Sequence, residues 1–120
     1  MKTSSCKAKG RILQKWVCQK IADIFKIEFN NQDDQCLIHS REMGQSGVDV
    51  ILRGEIYKKF PFAVECKNTE KLCLYTTIEQ IKNNAQIDQD WLIVHKKNRN
   101  EPVVIISWDA FEKLFKKSLK

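Results

Sequence analysis

In the run Phe62-Ala63-Val64-Glu65-Cys66-Lys67 the side chains of an extended chain alternate, so Phe62, Val64 and Cys66 share one face and Ala63, Glu65 and Lys67 the other. A carboxylate and an ammonium therefore project side by side. In Val48-Asp49-Val50-Ile51-Leu52 the same alternation puts Val48, Val50 and Leu52 on a core face and Asp49 on the opposite one. Paired as neighbouring strands, the two runs bring Asp49 to Glu65 and Lys67. Two carboxylates aimed at one point repel, and burying them costs several kcal/mol unless a cation compensates. Mg²⁺, with Mn²⁺ as its substitute, fits that need. It takes hard oxygen ligands from one or two carboxylates, here Asp49 and Glu65 with the backbone carbonyl of Cys66 as a third, and leaves positions for water and phosphate oxygens. Lys67 then orients or deprotonates the attacking water and offsets charge developing on phosphorus. This is a set of groups for phosphodiester hydrolysis. A Glu and a Lys two residues apart also describe a solvated strand face with a weak ion pair of about 0–1 kcal/mol. The chemical reading therefore rests on a combination: Gly47-Val48-Asp49 opening one strand, a 15-residue gap, Glu65-Cys66-Lys67 ending an apolar strand, and a helix before both.

The elements that must position these groups follow from hydrophobic periodicity. Ile12, Leu13, Trp16, Val17, Ile21, Ile24 and Phe25 form the i, i+3, i+4 stripe of a helix over residues 10–26, with Trp16 and Phe25 read as core rather than as a base-stacking platform. The cluster Asn30, Asn31, Asp33 and Asp34 marks a turn, residues 36–39 a short strand, and residues 41–47 a loop. Residues 48–52 and 62–66 are expected to form an antiparallel hairpin across a polar connection containing Gly54. A helix over 76–84, strands over 91–94 and 103–107, and a last helix capped by Asp109 and burying Phe111, Leu114 and Phe115 complete the chain. The expected order is α-β-β-β-α-β-β-α, an α/β fold with a mixed sheet flanked by helices in one domain spanning residues 1–120, with residues 1–9 as a basic N-terminal arm.

With 120 residues, 42% hydrophobic and 30% charged, the chain can bury one core without metal or disulfide staples, so a metal here would serve chemistry. The net charge of +6 is unevenly placed. The first 22 residues hold six bases, among them Lys7, Lys9 and Arg11, and no acid. Residues 23–95 hold twelve acids against eight bases, and from Lys96 onward seven bases face three acids. Basic ends around an acidic middle suit a protein that grips a polyanion at its rim and keeps carboxylates at its centre, although modest positive charge also serves solubility alone. The loop with Lys96, Lys97 and Arg99 is a solvated turn or a DNA contact on that view. Five cysteines without a CxxC pair, and a start lacking the apolar segment of a secretory signal, predict reduced thiols in a cytoplasmic protein. The longest apolar run, residues 103–106, is far too short for a membrane span of roughly 20 residues. His39 and His95 lack partners at zinc-ligand spacing and receive no role.

Lys9-Gly10-Arg11, Ser46-Gly47-Val48-Asp49, Phe62-Ala63-Val64-Glu65-Cys66-Lys67-Asn68 and the pair Glu79-Gln80, taken in order, resemble the PD-(D/E)XK nuclease superfamily, and within it the small archaeal and phage Holliday junction resolvase-like endonucleases. The resemblance covers nearly the whole chain through short, degenerate motifs. It implies a restriction-endonuclease-like three-layer core, Asp49 and Glu65 as metal ligands, Lys67 as the catalytic lysine, and Arg41 and Ser46 as phosphate contacts. Val48 stands where the name motif has proline, and Gln14 where many relatives carry an acid on the first helix. Gln14 can hold a water but supplies no charge, which leaves Glu42 or Glu79, with Gln80 beside it, as accessory candidates. The implied activity is Mg²⁺-dependent cleavage of branched DNA by a homodimer, because a two-fold junction needs paired cuts. The alternative is a nuclease-like fold that binds DNA without cutting it, with Gln14 as the first sign of decay.

Overall fold

The computed structural model describes residues 3–42 and 44–120. Residues 1 and 2 of the expected N-terminal arm and residue 43 of the expected 41–47 loop lie outside the described residues. The order is α1 (Thr3–Phe25), β1 (Ile38–Ser40), β2 (Val50–Leu52), α2 (Gly54–Lys59), β3 (Phe62–Asn68), α3 (Leu74–Asn84), β4 (Asp90–Lys96), β5 (Val103–Ile106) and α4 (Trp108–Ser118). The chain is a single α/β domain with a mixed sheet. The three-stranded sheet runs β3-β4-β5, β3 parallel to β4 and β4 antiparallel to β5, while β1 and β2 form a separate antiparallel pair.

Both faces of β3 are buried, which is what a strand in parallel pairing requires. Phe62, Val64 and Cys66 pack with Leu13, Val17 and Ile21 of α1, and Val50, Leu52 and Ala110 join that cluster. On the other face Ala63 packs with Ile78 and Ile81 of α3 and Ile93 of β4. The alternation read from the sequence thus holds on β3. On the Val48 side it fails: Val50 and Leu52 enter the α1 cluster, but Val48 packs against the α3 cluster. The reason is that residues 48 and 49 lie in a bend ahead of β2 and do not share its pleat.

Other expectations need correction. Residues 48–52 and 62–66 do not form a hairpin, because β2 pairs with β1 and β3 pairs with β4. The polar connection between them is the short helix α2, whose Ile56 reaches the core. The first helix begins seven residues earlier than its apolar stripe suggested, so residues 3–9 belong to it. Its stripe is only partly interior: Ile12, Trp16 and Ile24 are exposed. The cap of α4 is Ser107, whose hydroxyl accepts from the Ala110 N–H at 3.0 Å, with Asp109 left in the first turn. Ala110 is the buried residue of α4, and Phe111, Leu114 and Phe115 are exposed. No helix among the described residues is long and apolar enough to cross a membrane.

Candidate active site

The bend before β2 brings Asp49 to β3. Its N–H donates to the Val64 carbonyl at 3.1 Å and its own carbonyl accepts from the Arg41 N–H at 2.8 Å, so the backbone is held from both sides. Its carboxylate Oδ2 accepts from the Cys66 N–H at 2.7 Å. That bond seats Asp49 between Glu65 and Lys67 in the chain order of β3, and Lys67 Nζ lies 3.7 Å from Glu65 Oε1. Asp49 is thus brought beside Glu65 and Lys67 by two bonds to β3, its own N–H to Val64 and the Cys66 N–H to its carboxylate.

The electrostatics are those of a site short of positive charge. Burial raises the Glu65 carboxyl to about 7, the Asp49 charge adds to the rise, and Lys67 offsets only part of it. Asp49 is also raised, mainly by burial, against the opposing pull of the Cys66 N–H, Lys67 and Arg41. The Cys66 thiol is pushed above its usual range by burial and by the charge on Asp49, so it is an inert core group.

Arg41 turns back on this bend. Its Nε donates to the Val48 carbonyl at 2.6 Å, and its guanidinium lies against Gly47, where an added Cβ would come within 2.8 Å of Cζ. Gly47 also has φ +116°, a conformation that L side chains rarely adopt. Gly47→Ala is therefore expected to cost about 1–3 kcal/mol of stability through backbone strain and to displace Arg41; chemical denaturation would measure the first and loss of activity the second.

Other expected residues fall into two groups. Lys9 of α1 lies beside Asn68, the residue after Lys67, in the walls of two clefts; Lys96 lines one of them and Asn98 the other. Part of the basic N-terminal region and the basic end of β4 are thereby brought together at the end of β3, on the α1 face opposite Glu65 and Lys67. Lys7, Arg11, Ser46, Lys97 and Arg99 are exposed, as a phosphate-contacting rim requires, and Arg99 holds a left-handed turn at φ 68°. Glu42, Glu79 and Gln80 are exposed, and Glu79 is 4.0 Å from Lys82 on its own helix. Among the described residues no group of three or more His, Cys, Asp or Glu side chains converges, so neither Glu42 nor Glu79 joins Asp49 and Glu65 as a third acid.

Gln14 is buried, and its Oε1 accepts from the Ser40 hydroxyl at 2.9 Å. A neutral amide is tolerated there where an unpaired carboxylate would be costly. Ser40 in turn is held by Asn31, whose Oδ1 accepts from the Ser40 N–H at 2.8 Å. Asn31 is legible in the sequence as a turn residue, but Ser40 is not singled out, because its bond to Gln14 joins positions 26 residues apart. His95 is paired with Lys67 in the β3–β4 register and has Nε2 2.9 Å from the Thr69 carbonyl, a structural tie. The chain was compared with protein-family models, with curated proteins and with solved structures, and none of the three comparisons returned a match.

Proposed function

We propose that this chain is a metal-dependent endonuclease that hydrolyses DNA phosphodiester bonds, most specifically in branched DNA such as a Holliday junction, working as a cytoplasmic homodimer on a restriction-endonuclease-like core. The observation that carries the reading is the Asp49 carboxylate bonded to the Cys66 N–H, between a Glu65 raised to about 7 and the Lys67 ammonium. Two acids held in a half-buried place at the expense of their own ionisation are poorly matched to a merely structural role. They are well matched to a divalent cation.

The donor set fits Mg²⁺ or Mn²⁺: Asp49 and Glu65 would hold the ion, with the Cys66 carbonyl as a further oxygen ligand. A bound divalent cation supplies Lewis acidity at the phosphate and compensates the two carboxylates. The residues themselves do the positioning. The Cys66 N–H fixes the rotation of the Asp49 carboxylate, and the Arg41 N–H and Val64 carbonyl fix its backbone. Lys67 holds the attacking water and counters negative charge on the phosphoryl oxygens as the water oxygen bonds to phosphorus and the bond from phosphorus to the sugar oxygen breaks, the water's proton passing to solvent and the departing oxygen taking one from it. Lys9 and Lys96, flanking Asn68, supply sequence-independent grip on the strand.

The test is a cleavage panel of junction, flap, nicked and linear DNA with Mg²⁺ or Mn²⁺, run with wild type and Asp49→Asn. Metal-dependent cutting of the junction by wild type alone, with binding that weakens steeply as salt rises, is the expected result. Binding of junction DNA without cutting under any metal would instead favour a non-catalytic DNA-binding domain, the reading to which the Gln14–Ser40 lock lends its weight.

A further inference from the structure

Helix α4 carries an apolar arc left open to solvent among the described residues. Ala110 is its contact with the core, and on a helix of 3.6 residues per turn Phe111, Phe115, Trp108 and the C-cap Leu119 lie between roughly a quarter and a half of a turn away from it, with Leu114 between. Trp108 and Phe111 have ring centroids 5.4 Å apart, and Phe111 and Phe115 stack at 6.1 Å, so the arc is a continuous aromatic ledge. Trp108 is 73% exposed, Phe111 46%, Leu114 46%, Phe115 56% and Leu119 74%. With each aromatic side chain offering about 150–250 Å², these fractions leave roughly 600 Å² of apolar surface in water. Isolated exposed apolar residues are ordinary, but a contiguous patch of this size is the mark of an interface.

We propose that this face of α4 docks the same face of a second copy of the chain, with the two helices antiparallel about a two-fold axis. Area is the first argument. Two such faces together remove about 1,200 Å² from water, which reaches the lower bound of a specific, stable interface before the polar rim is counted. Charge is the second. The acids of α4, Asp109 and Glu112, stand towards its start, and Lys113, Lys116 and Lys117 towards its end. A two-fold between residues 113 and 114 brings Phe111 near the second copy's Phe115 and Glu112 near its Lys116, each pair within about one residue's rise of level, and it opposes the two helix dipoles. A parallel arrangement sets like charges together. The existing Glu112–Lys116 pair at 3.2 Å borders the ledge and becomes its rim.

This surface is independent of the chemistry at Asp49 and Glu65: a monomeric nuclease would overturn it and leave that chemistry standing, and an inactive dimer would do the reverse. Sedimentation of the full chain over a range of concentrations is the test. Wild type is expected to be dimeric at micromolar concentration and Phe111→Glu monomeric, with unchanged circular dichroism because Phe111 is half-exposed. Glu112→Lys alone is expected to raise the dimer Kd by about tenfold or more, and Glu112→Lys with Lys116→Glu to restore it, since the double reversal preserves opposite charges across the axis. A wild type that stays monomeric to about 100 µM, corresponding to less than roughly 5.5 kcal/mol of association, overturns the interface. A dimer that survives Phe111→Glu overturns the surface, and a double variant no better than the single overturns the antiparallel arrangement.

Discussion

Glu65→Gln is expected to abolish cleavage and at the same time to stabilise the metal-free fold at pH 8. The carboxyl is raised from 4.5 to about 7 by burial and by Asp49. Its protonated form is therefore favoured by folding: the stabilising contribution is whole below the unfolded value of 4.5 and is lost as pH rises through about 7. Above pH 7 the ionised group costs the fold about 2 kcal/mol, after allowing for solvent screening of a part-exposed side chain. A glutamine does not titrate. Thermal unfolding in chelator should show the variant melting roughly 5–10 °C above wild type at pH 8, with the gap closing towards pH 4.5. Saturating Mg²⁺ should raise the wild-type midpoint at pH 8 and leave the variant's nearly unchanged, because a ligand stabilises only the state that binds it. Equal melting of the two proteins at pH 8 would show that Glu65 is not under electrostatic stress.

Lys67→Ala is expected to lower the cleavage rate by about 10²–10⁴, the range over which a positioned proton-transfer or charge-stabilising group acts, while junction affinity changes by less than about threefold. The separation follows from placement. Lys67 sits beside Glu65 on one face of β3, whereas Lys9 of α1 and Lys96 of β4 line a cleft on the α1 side. Single-turnover cleavage together with binding in chelator reads both quantities. Loss of binding in parallel with loss of cutting would make Lys67 a DNA-gripping residue and remove it from the chemistry. Removing Lys67 also deletes the one lysine that holds the Glu65 carboxyl down, so the pH at which metal begins to bind should move upward.

How much of this was legible in the sequence depends on how local each cause is. The faces of β3 could be read because alternation is a property of the strand itself, and the structure sets Phe62, Val64 and Cys66 on one cluster and Ala63 on the other. The approach of Asp49 to Glu65 and Lys67 was also legible, though for a wrong reason. A hairpin was expected, but a bend and two bonds to β3 make the approach. Strand partners are chosen by global packing, and periodicity cannot tell β1–β2 with β3–β4 from β2–β3. Helix α2 was obscured because Arg53-Gly54-Glu55 has the composition of a turn, while Ile56 alone anchors the helix. The stripe on α4 misled: its residues are apolar at helical spacing, yet Phe111, Leu114 and Phe115 are exposed and Ala110 is the buried residue of the helix. The Gln14–Ser40 bond spans 26 residues and leaves no local pattern at all.

The division of the strands into a pair and a triplet has a bearing on how the site can fail. β1 and β2 hydrogen-bond to each other, β3 to β4, and among the described residues the main-chain tie across the seam is the Asp49 N–H to Val64. One acid thus belongs to the smaller ribbon and the other to the larger. Yet Ile38, Val50 and Leu52 of the ribbon share one buried cluster with Val64 and Cys66 of β3, so lifting the ribbon would open the core as well as part Asp49 from Glu65. The placement of the two acids is accordingly secured by side-chain packing more than by strand hydrogen bonds, and parting them costs the fold its core.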